Sequence, residues 1–332
     1  MISVLGQVVV AAALITALVG AAGAFAGARS GWGAGWGRRA AALVLVLILA
    51  AVALMEYALL THDFSVKYVA DVGGLNVPTY FTFISLWAAL EGSILFWALL
   101  LSGYTVLFLV LYRNRFAELQ PYIAGILLLL SSFFLFVITV PGNPFTRVDP
   151  LVACRNACTG PNPLLQNHWM MGVHPVLLYL GYVGLSIPFA IVVASLVAGT
   201  PGAQVMRLIR RWALVPWVFL SLGIIGGMWW SYAVLGWGGY WSWDPVENAS
   251  VMPWLVTTAF LHSVQVQERR QMLKTWTLSL VIAAFLLSIL GTFLTRSGVL
   301  ASVHSFTQSS VGPVFLVFFG VLLVGSIALL LV

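Results

Sequence analysis

Nine stretches of this chain are apolar over the roughly 20 residues that a helix needs to cross a bilayer. They constrain its fold more than any other feature. They run over about 2–27, 40–60, 81–112, 119–140, 174–198, 213–235, 249–267, 275–295 and 311–332. Inside lipid every backbone amide must find its partner within the protein, which a helix does unaided. The expectation is an all-α polytopic membrane protein with about nine transmembrane helices. Of the 332 residues, 61% are hydrophobic and 7% charged, against about 25% charged in soluble domains. The first run is too long, and too poor in N-terminal charge, for a cleavable signal peptide. No internal repeat, heptad array or low-complexity linker interrupts the pattern, so 1–332 reads as one helical domain. The last run reaches Val332 with no flanking charge, which reads as the N-terminal part of a longer protein.

The net charge of +6 is a matter of topology, not of nucleic-acid binding. Arg29, Arg38, Arg39, Arg113, Arg115, Arg207, Arg210, Arg211, Arg269, Arg270 and Lys274 fall in the odd-numbered loops. Lys67, Arg147, Arg155 and Arg296 fall in the even ones. Basic loops stay cytoplasmic, so the N-terminus is expected outside. The long loop 141–173 and the loop after the sixth run are then expected to face the periplasm or its equivalent.

That sixth loop lies within an aromatic segment, 228–248. It carries Trp229, Trp230, Tyr232, Trp237, Tyr240, Trp241 and Trp243, then Asp244 and Glu247. Interfacial tryptophan is ordinary, but a block this dense offers flat apolar faces suited to a flat, polarizable ligand such as a haem macrocycle.

The five histidines divide by depth. His62, His168, His174 and His304 face outward under this topology, and His262 lies inside the seventh run. Taken singly, an outer histidine reads as an interfacial side chain satisfying loop backbone. Together beside the aromatic block, His174 and His304 could hold a haem iron from its two faces. An ionisable group at depth is costly and invites a functional reading. His262 suits an axial ligand of a buried haem b, or a packing residue bonded to Ser or Thr. No second inward histidine exists here, so a trans ligand would come from beyond Val332 or from another chain.

Other groups stay open between structure and function. Glu91 is expected about ten residues into the third run, as a buried acid that relays protons, contacts a quinol or caps a neighbouring helix. Glu56 reads as interfacial. Asp244 and Glu247 suit the positive end of the seventh helix, or Asp244 orients a ligand or a loop tryptophan. Cys154 and Cys158, in C-x-x-x-C spacing, fit a structural disulfide in an oxidising compartment, with free thiols or redox exchange as alternatives. Arg147, Arg155 and Arg296 are the notable outer arginines. Arg296, eight residues before His304, is the best partner for a haem propionate through its planar fork, or else a snorkelling interfacial residue.

Trp237-Gly238-Gly239-Tyr240-Trp241-Ser242-Trp243-Asp244 resembles the W-G-x-x-W-x-W-D signature of the "WWD" haem-handling membrane proteins, which include CcmF, CcmC and CcsA. Three further segments resemble CcmF in particular. They are Leu90-Glu91-Gly92-Ser93 with Trp97; Asn162-Pro163-Leu164-Leu165-Gln166 followed by His174-Pro175 and Leu178-Tyr179-Leu180-Gly181-Tyr182-Val183-Gly184; and Thr292-Phe293-Leu294-Thr295-Arg296-Ser297-Gly298 with His304. The likeness covers about 56–310, and CcmC has fewer spans.

The resemblance implies a haem lyase of cytochrome c maturation in a bacterial cytoplasmic membrane. His174 and His304 would be outer haem ligands and His262 one ligand of a transmembrane haem b. Trp237, Trp241, Trp243 and Asp244 would form the haem-handling segment. It implies a haem chaperone, CcmE, as donor, CcmH-type and CcmG-type thiol partners, apocytochrome c as acceptor, and possible reduction by quinol. The alternatives are a CcmC-like haem relay without ligation and, more remotely, a proton-translocating subunit working through Glu91 and His262.

Overall fold

The computed structural model describes residues 1–154, 158–161, 168–236, 238–298 and 311–331. These residues are helical, with two isolated antiparallel bridges, Val66 to Arg147 and Gly74 to Thr159. The helices are α1 (Ile2–Ala26), α2 (Gly33–Leu60), α3 (Lys67–Val72), α4 (Thr79–Ile84), α5 (Leu90–Leu111), α6 (Gln120–Thr139), α7 (Pro150–Ala153), α8 (Met170–Gly184), α9 (Ser186–Val197), α10 (Ala203–Val234), α11 (Pro245–Arg270), α12 (Lys274–Arg296) and α13 (Val311–Leu331).

Eight of the nine apolar runs each form a long helix, α8 and α9 acting as one, and the third is divided. Among the described residues eight segments are long and apolar enough to cross a membrane. The remaining helix, α11, has 26 residues but is polar at both ends, from Glu247 and Asn248 to Glu268, Arg269 and Arg270. The chain is an integral membrane protein. The α8–α9 break at Leu185 has a local cause: Pro188 cannot donate to the Gly184 carbonyl, which interrupts the helical ladder.

The helices run alternately up and down. α1 packs on α2 and α6 through a buried stripe of small residues, Ala13, Ala17, Gly20, Ala21 and Ala24, the means by which helices approach closely in lipid. α10 and α11 are joined by indole donors: Trp217 donates to Thr258 Oγ1 and Trp254 to Ser221 Oγ, each at 2.8 Å. One end of the bundle gathers the short turns and the basic residues, including the Arg210–Glu268 ion pair. The other end gathers α3, α4, α7, residues 141–154 and 158–161, and the described part of the aromatic segment.

The third run departs from expectation. It does not form one helix over 81–112. Residues 79–87 form α4 and a 3₁₀ turn, Ala89 is extended (φ −134°, ψ 175°), and α5 begins only at Leu90. The buried Tyr68 sets this break. Its hydroxyl donates to the carbonyls of Ser85 and Leu86, both at 2.8 Å, and accepts from the Ala89 amide at 3.3 Å. Burial pushes the Tyr68 phenol well above its ordinary range, so it remains a donor. Glu91 therefore lies in the first turn of α5, not ten residues deep.

Candidate functional site

At the aromatic end, α5, α8, α10, α11 and α12 enclose a cavity of about 540 Å³, within the usual range of ligand pockets. Each wall has a local origin. One face of α8 supplies Met171, His174, Pro175, Leu178, Tyr179 and Tyr182, spaced as a helix spaces one side. Pro175 has a second effect. It cannot donate to the Met171 carbonyl four residues back, and that oxygen instead accepts the indole N–H of Trp87 at 3.2 Å. Trp87 is thereby fixed as another wall.

His174 is half-buried, and its Nδ1 lies 2.8 Å from the Gly223 carbonyl. A carbonyl only accepts, so Nδ1 carries the proton, and in the neutral form of the ring the lone pair falls on Nε2. This is how ligating histidines are commonly oriented. The ring lies 5.6 Å from that of Trp230. It also fits tightly over Gly227, where a Cβ would sit 2.6 Å from His174 Cε1.

Arg296 closes α12 and is 4% exposed. Its Nη2 donates to Ser93 Oγ at 3.0 Å and to Tyr179 Oη at 2.8 Å, and its Nη1 to Thr295 Oγ1 at 3.2 Å. Ser93 is fully buried, and Gly92 beside it has no room for a Cβ, which would lie 2.1 Å from the Leu86 carbonyl. The Leu90-Glu91-Gly92-Ser93 segment thus has a physical meaning. Gly92 admits Tyr68 and the α4–α5 break, and Ser93 holds the arginine.

The aromatic segment divides in two. Residues up to Val234 continue α10, so Trp229 and Trp230 are helical, and the loop proper is short. Tyr240 stacks on Tyr232 at 4.6 Å, folding the loop back on α10. Trp241 lines the cavity. Trp243 does not: it is 75% exposed with a left-handed backbone (φ 59°), and meets Trp241 edge-on at 6.2 Å.

Asp244 is the N-cap of α11, accepting from the Val246 amide at 2.8 Å in a capping box with Glu247. Glu247 Oε2 accepts from the amides of Ser242 and Asp244 and from Ser242 Oγ. These two acids shape the loop.

The structure therefore brings together His174, Arg296 and Trp241. It places three other expected site residues elsewhere. Glu91 packs by Gly142 and contributes to the field at Lys67, on the α3 side. Asp244 caps a helix. His262 lies about 25 Å along α11 from its start at the 1.5 Å rise per residue, on an exposed face with Leu255 and Val266. Trp237, His304, Arg155 and the 162–166 segment lie outside the described residues. Among the outer histidines, His168 Nδ1 accepts the Met170 amide at 3.2 Å, a backbone role. Arg147 is exposed beside Ser65 and Asp149. Cys154 and Cys158 are joined in a disulfide.

Sequence reasoning gave no individual role to Ser93, Tyr179, Tyr182 or Trp230, and did not single out Gly227. The two tyrosines carried a readable signal, since they share the helical face of His174. The partnership of Arg296 with Ser93, 203 residues away, carried none.

The family model for cytochrome C assembly protein matches residues 87–300, which contain every wall described above except the α3 contacts. The chain belongs to this cytochrome c assembly family. Within it the chain is similar to the cytochrome c-type biogenesis protein CcmF of Pseudomonas aeruginosa, 46% identical over 272 residues, 82% of this chain and 41% of that one. It is 42% identical to CcmF of Escherichia coli over 293 residues, 88% of this chain and 45% of that one. The solved structure of a cytochrome c haem lyase CcmF superposes with a TM-score of 0.81 at 40% identity, covering 99% of this chain and 51% of that one. The chain spans about half, or less, of the length of these CcmF proteins.

Proposed function

We propose that the cavity receives haem as a substrate and that the chain forms part of a CcmF-type haem lyase. One observation carries the reading: a single cavity combines an imidazole whose tautomer presents Nε2, a buried arginine and several aromatic walls. That donor set fits a haem, with an iron for the imidazole, carboxylates for the guanidinium and an apolar face for the rings.

In this reading His174 binds the iron from one side, and His304 is proposed for the other. Arg296, held by Ser93 and Tyr179, fixes a propionate and so the rotation of the ring in its plane. Trp241 and Trp87 shield the ring edge from water. Trp237 and Trp243 are proposed to meet haem as it arrives from the donor, CcmE, and Asp244 with Glu247 holds the loop in shape. The chain's contribution is binding and orientation, while thioether formation joins the haem vinyl groups to the thiols of an apocytochrome c. CcmH-type and CcmG-type partners would keep those thiols reduced.

His262 is proposed as a residue that would hold a resident haem b. When bound, that group would pass electrons, supplied by quinol, to the iron at the outer site. Among the described residues no group of three metal-binding side chains comes together. A second ligand is proposed to come from outside these 332 residues. The bilayer is proposed to be the bacterial cytoplasmic membrane, with the basic end inside and the cavity at the periplasmic face. Glu91 is left a positional role beside α3.

The test is haem titration of the protein in nanodiscs, followed by its Soret and α-band absorbance. Wild type should give a six-coordinate low-spin spectrum. His174→Ala should lose it and should fail to support haem attachment to a reporter cytochrome in the assembled system. An unchanged spectrum and normal attachment would overturn the assignment.

A further inference from the structure

We propose that the Cys154–Cys158 disulfide is a dithiol-exchange site that latches one wall of the outer cavity. The proposal concerns the same cavity but not its ligand, and it uses a motif that the reading above leaves idle.

A short chain of contacts links the disulfide to the wall. Cys154 follows α7, where its amide bonds to the Pro150 carbonyl at 2.9 Å, and Asp149 caps that helix. Cys158 donates its amide to the Ala70 carbonyl at 2.8 Å, and Gly160 donates to Gly73 at 2.9 Å. Thr159 bridges Gly74. The next residue, Pro161, is buried, and Gly160 and Pro161 line the cavity beside Asp71 and Val72. The wall is thus a single strand-like strip laid along the end of α3. The disulfide sits at its near end.

The backbone of Cys158 explains why the bond matters. Its φ is +64°, in the left-handed region that a side-chain-bearing residue avoids unless its surroundings impose it. Closing a ring over a sequence separation of four removes most of the alternatives open to that residue. With the sulfurs parted, Cys158 can return to an extended backbone. The Cys158 and Gly160 amides then swing off Ala70 and Gly73, and Pro161 leaves the wall.

The sulfurs are also within reach of a reagent. Cys154 is exposed and Cys158 half-buried, and exposed disulfides are the exchangeable ones. The exchange partner is a dithiol. Its two thiols lose two electrons and two protons as they form their own S–S bond. The Cys154–Cys158 bond breaks and both cysteines become thiols.

The experiment is hydrogen–deuterium exchange on the whole protein in nanodiscs, before and after dithiothreitol, with maleimide labelling to count thiols. Two new thiols should appear. Exchange of the amides of 158–160 should rise at least about tenfold while that of α1 stays unchanged, the mark of a local rather than global opening. Cys154→Ser should show the fast exchange without reductant. Ferric haem affinity should change several-fold on reduction. Failure to label any thiol, or amide exchange at 158–160 that is the same in oxidised, reduced and Cys154→Ser protein, would overturn the latch. Absence of haem binding in both redox states would count against the haem reading, while the exchange result still decides the latch.

Discussion

His174 packs against Gly227 so closely that a Cβ on the glycine would lie 2.6 Å from Cε1. The same approach lets Nδ1 reach the Gly223 carbonyl at 2.8 Å. α8 and α10 thus settle the ring's position and its tautomer together. Gly227→Ala should push the imidazole outward and break that hydrogen bond. Overpacking of this kind costs about 1–3 kcal/mol, so the variant should fold with a lowered Tm. Haem titration should show weaker or five-coordinate binding. A variant with wild-type spectrum and affinity would show that the ring has other room.

The Arg296 guanidinium donates to Thr295 and, through Nη2, to two neutral partners remote in sequence, Ser93 and Tyr179. Tyr179→Phe removes one acceptor from a buried guanidinium, and leaving such a donor unmatched costs about 1–3 kcal/mol. Tm should fall accordingly, and Ser93→Ala should act alike. Because the two share one guanidinium, the double variant should depart from additivity. Arg296→Lys keeps the charge but not the fork. It should retain the fold while weakening haem more than it weakens mesohaem dimethyl ester, which lacks free carboxylates. Equal weakening of both ligands would remove the propionate role.

The spans were legible because hydrophobic length alone selects helices in lipid. The outward histidine and Arg296 were legible because polar groups at the ends of such runs are few. What could not be read was set by contacts remote in sequence. Ala88 and Ala89 look helical, and only the Tyr68 hydroxyl, some twenty residues earlier, breaks the chain there. Trp241 and Trp243 look equivalent. The left-handed backbone at Trp243 sends one into the cavity and the other to the surface. Asp244 looked like a ligand-orienting acid or a cap, and its geometry is that of the cap.

Tyr68 supplies three hydrogen bonds at the start of α5. Tyr68→Phe leaves the Ser85 and Leu86 carbonyls without that donor. A loss of about 1–3 kcal/mol follows, read as a lower Tm and faster amide exchange across 85–90. Gly92→Ala is more severe, since its Cβ would lie 2.1 Å from one carbonyl and 2.3 Å from the Tyr68 hydroxyl. It should prevent stable accumulation in the membrane, whereas Gly103→Ala, with open space at its Cβ, should be neutral. Normal accumulation of Gly92→Ala would show that the α4–α5 break can shift at little cost.

Asp244 offers a test of cap against chemistry. As an N-cap it can be replaced by Asn or Ser with little loss, while Ala should cost about 1 kcal/mol. If its work is to begin α11 and hold the loop, Asp244→Asn should keep haem binding and cytochrome maturation near wild type, and Asp244→Ala should lower both along with Tm. Glu247→Ala should resemble Asp244→Ala, because Glu247 accepts from the amides of Ser242 and Asp244. A carboxylate acting in the reaction would give the opposite order. Asp244→Asn would then be inactive at unchanged Tm, and the proton-accepting oxygen, rather than the cap, would be what the loop presents.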